Sequence, residues 1–348
     1  MAYTTINKSS NFFTTATWSG TSSQQTISLP FQADWIWVKR RNSTVNHASQ
    51  DIVNAFGNRL SPNRNVVLGS EPHGIGTVDA NGFNFKGSYN GSGYNESGGT
   101  YVSWNWKANG AGSANTDGSI NSTVSVNQTA GFSIVKWTGT GSNATIGHGL
   151  GAVPQVVLIK ELNGTNNWLM SHQPLSASLG DYSRFITLNS TGAVSGAGNV
   201  VFQNSAFTSS VFNVGTSAGS NGSGQNFIAY CFAEKTGYSK FGSYTGNGSS
   251  DGSFCYLGFK PAFVMRKRTN DTQDWTIFDN KRPEYNPADR KLEPNTSDAE
   301  SGAGNSNQID VLSNGFKCRG TGTGTNASGS TYIYMAFGQS LVGSNNVP

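Results

Sequence analysis

The sequence predicts an all-β protein made of three repeated antiparallel β-sandwich modules, jelly-roll-like or lectin-like in type. Three observations carry this. The segments Tyr101-Val-Ser-Trp-Asn-Trp-Lys-Ala108, Phe227-Ile-Ala-Tyr-Cys-Phe-Ala-Glu234 and Tyr332-Ile-Tyr-Met-Ala-Phe-Gly-Gln339 align without a gap. Gly, Ser, Thr and Asn crowd the intervals between aromatic clusters, the pattern of short strands joined by many turns. The strong segments alternate with period two, and no amphipathic helical period competes with them.

Each element recurs in order. An aromatic residue followed by a turn opens each copy: Trp18-Ser-Gly20, Trp137-Thr-Gly139 and Tyr244-Thr-Gly246. Next come apolar strands at 33–39, 154–160 and 261–267, all ending in Lys, with near-continuous apolar centres that predict a strand buried on both sides or lying under loops. Eight residues after each Lys stand His47, Trp168 and Trp275, and four further on stand Asp51, His172 and Asp279. Strands around Phe83, Phe212 and Phe316 follow, and the closing aromatic strand begins 18, 15 and 16 residues later. Five tryptophans inside these patterns, Trp35, Trp37, Trp104, Trp168 and Trp275, are expected to be core residues.

These marks divide the chain into a divergent module at 1–108, a Gly/Ser/Asn-rich linker at 109–129, a second module at 130–236 and a third at 237–348. A length of 348 residues suits three units of about 100 residues each. The linker leaves module one oriented separately, whereas modules two and three join almost directly. Two antiparallel layers per module are the natural way to bury alternating faces. The runner-up is a barrel or a β-prism-like arrangement with internal threefold symmetry; a propeller needs shorter repeats.

The net charge of +4 is small and scattered, and charged residues make up only 12%, which argues against a specific nucleic-acid partner. Lys39-Arg40-Arg41 and Arg266-Lys267-Arg268 read as solvated strand ends. Cys231, Cys255 and Cys318 sit among apolar neighbours, odd in number, and are expected to be free buried thiols made in a reducing cytoplasm. No stretch approaches the roughly 20 apolar residues that cross a bilayer, so membrane insertion is not expected, and the start lacks a secretion signal.

Candidate chemistry is sparse. Asp51 and Asp279 hold equivalent positions, but His172 replaces them in the second copy, which a carboxylate shared by three active modules would not tolerate. Asp279 beside Lys281 and Arg282 reads as an ion pair or turn cap. No metal spacing joins the histidines, and Thr138-Gly-Thr-Gly-Ser142 and Gly320-Thr-Gly-Thr-Gly324 lack the Lys-Ser/Thr pair of a phosphate loop. No catalytic residue, metal or cofactor is expected, and the chain is read as a non-enzyme. Four tyrosines in polar turns, Tyr89, Tyr94, Tyr182 and Tyr285, are the binding candidates, because aromatic faces beside Asn, Asp and Ser suit sugar rings.

Gly131-Phe-Ser-Ile-Val-Lys-Trp-Thr-Gly139, Ile146-Gly-His-Gly-Leu-Gly151, Tyr238-Ser-Lys-Phe-Gly-Ser-Tyr-Thr-Gly-Asn-Gly-Ser249 and Asn314-Gly-Phe-Lys317 together resemble a repeated β-domain of marine tailed-phage, cyanophage-like structural proteins. The likeness covers modules two and three well and module one weakly. It implies synthesis in the host cytoplasm and a place in the virion, at the tail or exterior, with other virion proteins and a homo-oligomer as partners. The leading expectation is a tail-associated adhesin or fibre-like protein that contacts host surface polysaccharide or another envelope component. The alternatives are a passive head-decoration, knob or tail-structural protein and, more weakly, a polysaccharide depolymerase.

Overall fold

A computed structural model describes residues 4–86, 93–177, 182–196, 199–283, 285–302 and 304–339. The fold is all-β and antiparallel, and it contains three inner sheets with one strand order. In the first, the order is Phe13–Ser19, Thr100–Trp106, Trp35–Arg40, Ala48–Asp51. In the second it is Phe132–Thr138, Asn226–Phe232, Val156–Glu161, Leu169–His172, and in the third Ser239–Thr245, Thr331–Gly338, Pro261–Arg268, Thr276–Asp279. Each closing strand is therefore central, with the apolar strand on one side and the opening strand on the other. The expected strand positions shift by one or two residues.

Alternation along these strands sends one set of side chains to a single shared core and the other set outward. Trp35, Trp104 and Trp106 of the first sheet, Phe132, Tyr230 and Phe232 of the second and Phe263, Met265 and Phe337 of the third all lie in that core. Trp106, Phe232 and Phe337 occupy the same place in their closing strands and meet as a triangle, with ring centroids 6.5, 5.7 and 5.6 Å apart. Trp35 stacks on Tyr230 of the next sheet at 4.1 Å. The tryptophans expected in the core are all buried there.

This arrangement corrects the expectation of a separately oriented first module: four of its five tryptophans, Trp35, Trp37, Trp104 and Trp106, sit in the common core, and Trp18 packs in the outer layer. The expected linker at 109–129 is corrected too. It carries the strands Ser113–Asn115 and Ser122–Asn127, which extend the second inner sheet beyond Phe132–Thr138. Its alternation, with Val124 buried and Val126 packed beneath, was hidden inside a Ser/Thr-rich composition. Asp34 fixes the junction by accepting hydrogen bonds from the Ala108 and Gly110 amides at 2.7 and 3.2 Å.

Behind each inner sheet lies a small outer sheet with its own apolar filling. The first joins Thr26–Ser28, Gly82–Phe85 and Ile75–Asp79; the second pairs Ala144–Gly147 with Val211–Val214; the third joins Phe254–Tyr256, Gly315–Cys318 and Ile309–Leu312. Phe83, Phe212 and Phe316 point into these outer layers. Cys231, Cys255 and Cys318 are free and buried in them, and burial raises the pKa of each thiol.

Candidate functional site: an aromatic face on the third outer sheet

The most chemically suggestive groups prove to be ties between sheets. Asp51 accepts the Tyr230 hydroxyl at 2.9 Å, joining the first sheet to the second. Asp279 accepts the Trp104 indole N–H at 3.0 Å, joining the third to the first. Met335 stands where Tyr230 and Trp104 stand in their own closing strands, and a thioether brings no comparable donor. A carboxylate opposite it would be buried without that partner, and this sequence has His172 there instead. The His172 Nε2 lies 3.1 Å from the Tyr334 carbonyl, completing the cycle from second sheet to third. The change from Asp to His thus follows the donor across the interface.

A second cycle runs through the preceding position. The indole of Trp168 donates to the Ser61 and Arg64 carbonyls at 3.1 and 3.2 Å, and that of Trp275 to the Thr187 carbonyl at 3.0 Å. His47, where the aromatic is lost from the sequence pattern, accepts from the Trp37 indole on Nδ1 at 2.9 Å. Its Nε2 therefore carries the proton and donates to the Glu293 carbonyl at 3.1 Å. Burial lowers the pKa of both His47 and His172, that of His172 to about 4, so both stay neutral at physiological pH.

The basic triplets are not solvated strand ends. Lys39, Lys160 and Lys267 are buried and donate to backbone carbonyls, including those of Arg40, Glu161 and Arg268. Burial lowers each ammonium pKa to about 8. Arg266 is also enclosed, with its guanidinium donating to Thr276, Asn307 and Thr325. These charges cap loops inside the protein, so they form no external basic stripe. Asp279 is the expected ion pair and turn cap: it accepts the Arg282 Nε–H at 2.6 Å and the Lys281 and Arg282 amides.

The four candidate tyrosines do not converge. Tyr89 lies outside the described residues. Tyr94 is buried, packs on Phe85 and accepts the Gln50 amide at 2.7 Å, so it is corrected to a core residue; its turn folds back over the first outer layer. Tyr182 is half-buried beside a cleft of about 560 Å³ with Gln155, Phe207 and Glu234. Tyr285 is 81% exposed and borders a separate hollow of about 310 Å³ with Lys260, Asn280 and Asn286. Among the described residues, no group of three or more His, Cys, Asp or Glu is placed to hold a metal.

A different pair of rings does form a surface. Cys255 faces Phe316 across the third outer sheet as Ile27 faces Phe83 and Ile146 faces Phe212. Phe254 and Tyr256 therefore correspond to Thr26 and Ser28, and to Thr145 and Gly147. In the third sheet alone, both outward positions are aromatic. Phe254 is 46% and Tyr256 55% exposed, on one face of an edge strand. Two residues apart in an extended strand places the ring attachments about 7 Å apart.

Backbone chemistry keeps this face flat. Gly315 lies opposite Tyr256, and a Cβ there would stand 2.1 Å from the Cys255 carbonyl oxygen and 3.1 Å from the Phe254 ring. Lys317 pairs with Phe254 on the same face, and the Lys240 ammonium sits 5.5 Å above the Tyr256 ring. Asp251 accepts Lys317 at 2.6 Å and Arg319 at 3.4 Å, while Arg319 also reaches Asp310 at 3.2 Å. The result is an exposed apolar strip with donors and a carboxylate at its border, able to stack on a ring and hydrogen-bond its substituents. The signal was present in the sequence as the replacement of Thr26 and Ser28 by aromatics, visible only once the repeats are aligned through the outer strands.

No curated protein matches the chain. A domain of unknown function, DUF7483, matches residues 8–340, a span that takes in all three inner sheets. The chain belongs to the DUF7483 family.

Proposed function

We propose that this protein is a non-enzymatic structural component of a phage particle, tail-associated, that contacts host surface glycans through its third outer sheet. The observation that carries the reading is the exposed Phe254–Tyr256 pair at positions where the other two outer sheets have small residues. Sugar rings present C–H faces to such a surface and hydroxyls to its polar border. The phage context rests on the resemblance of modules two and three to virion proteins. Several chains on one particle would strengthen a weak single contact through avidity.

A second reading, a passive head-decoration, knob or tail-structural protein, is favoured by a different feature. Strand 122–127 covers the outer edge of Phe132–Thr138, whereas the equivalent edges of Phe13–Ser19 and Ser239–Thr245 have no strand partner among the described residues. Open edges of this kind pair with other chains, including further copies.

Cosedimentation of the purified protein with cyanobacterial cells, and with polysaccharide extracted from their envelopes, tests the first reading. It predicts saturable binding with no release of new reducing ends. Absence of binding by the intact assembly would favour the passive structural role, and released oligosaccharide would reopen the depolymerase.

A further inference from the structure

We infer that the aromatic face of the third outer sheet selects acidic polysaccharide, a polymer whose sugar rings bear carboxylate or sulfate groups. This rests on the glycan-binding reading above and specifies its ligand. The argument is one of charge and placement around the two rings. Lys317 is directly across from Phe254, Lys240 overlies Tyr256, and Arg319, just past the end of the Lys317 strand, shares Asp251 with Lys317. Among the described residues, three cations thus border the two rings, against two carboxylates, Asp251 and Asp310.

The carboxylates are not equal. Asp310 is held by Arg319 within the sheet, across from Lys317. Asp251 sits in the turn before Phe254–Tyr256 with a side chain 78% exposed, and it bridges Lys317 and Arg319. It occupies the place that an anionic substituent would take once a sugar ring lay on Phe254. An exposed ion pair of this kind holds by little, so a ligand anion can displace it. The guanidinium of Arg319 and the ammonium of Lys317 would then receive the anion, with the ring stacked beside them. In the first outer sheet the corresponding face has Thr26, Ser28 and Asn84, with neither ring nor cation at these positions.

The test uses the whole protein with three defined polymers: dextran, alginate and dextran sulfate. Binding should be strongest for alginate, dextran sulfate or both, and should weaken with salt. Lys317→Gln with Arg319→Gln should lower affinity for the acidic polymers by about tenfold and for dextran far less, because the Gln amides still donate to hydroxyls but carry no charge for an anion. Asp251→Asn should raise it by about threefold, because it removes the competing carboxylate. Phe254→Thr with Tyr256→Ser should abolish binding of all three, which separates stacking from simple ion exchange.

Equal binding of dextran and alginate, both lost with the rings, would overturn the acidic preference and leave the glycan reading intact. Acidic binding unchanged in the ring variant would mean ion exchange and would overturn the inference. Binding of none of the polymers would count against both.

Discussion

The first and third outer sheets share strand order and pairing, yet they show solvent opposite chemistry. Over Ile27 and Phe83 the first presents Thr26, Ser28 and Asn84; over Cys255 and Phe316 the third presents Phe254, Tyr256 and Lys317. Their inward residues are interchangeable apolar groups. The difference separates two kinds of position: those that close a layer, where substitutions are compensated, and those that face water, where nothing in the fold requires an aromatic. An exposed ring pair on such a sheet needs a reason outside the fold.

The comparison breaks most severely if the shared core does not govern stability. Trp104→Ala removes a buried indole and the donor that Asp279 accepts, and should cost about 3–5 kcal/mol in urea denaturation. A loss below about 1 kcal/mol would place Trp104 outside the frame. His172→Asp should be nearly as damaging, by about 3 kcal/mol, because Met335 offers the new carboxylate no donor. Adding Met335→Tyr should recover part of that loss, since it rebuilds the pair seen between Asp51 and Tyr230. No recovery in the double variant would contradict the cyclic account.

A pH test sharpens the same frame. Lys39, Lys160 and Lys267 have ammonium pKa values lowered to about 8, against 10.5 in the open chain. As pH rises through 8 the folded protein sheds protons that the unfolded chain keeps, so stability should increase from pH 7.5 to 9. Above pH 9 the buried thiols, with raised pKa values, act in the opposite direction. Melting temperature followed across that window should rise, and Lys160→Met should flatten the slope.

Much of this frame was legible in the sequence. The three closing strands, the apolar strands and the buried tryptophans follow from a period-two pattern repeated at near-constant spacing. What escaped was anything decided between copies. Sharing of one core depends on which way each inner face turns, and no local pattern reports that. The donors to Asp51 and Asp279 stand 179 and 175 residues away in sequence. Strand 122–127 was hidden by Ser and Thr, which serve edges and turns equally well. Tyr94 looked solvated because its neighbours are Gly, Asn and Ser, although the turn closes over its ring. Phe254 and Tyr256 carry no local signal of exposure, because isolated aromatics in a strand read as core until their register is known.

The smallest structural effect is expected where the functional effect is greatest. Replacing Phe254 by Thr and Tyr256 by Ser, the residues of the first outer sheet, should change stability by no more than about 0.5 kcal/mol. The decisive measurement is a calorimetric titration of that double variant and the natural protein with polysaccharide extracted from cyanobacterial envelopes, with melting temperatures taken on the same samples. The account predicts binding by the natural protein, its loss in the double variant, and matching melting temperatures. Binding retained in full by a folded double variant would contradict it.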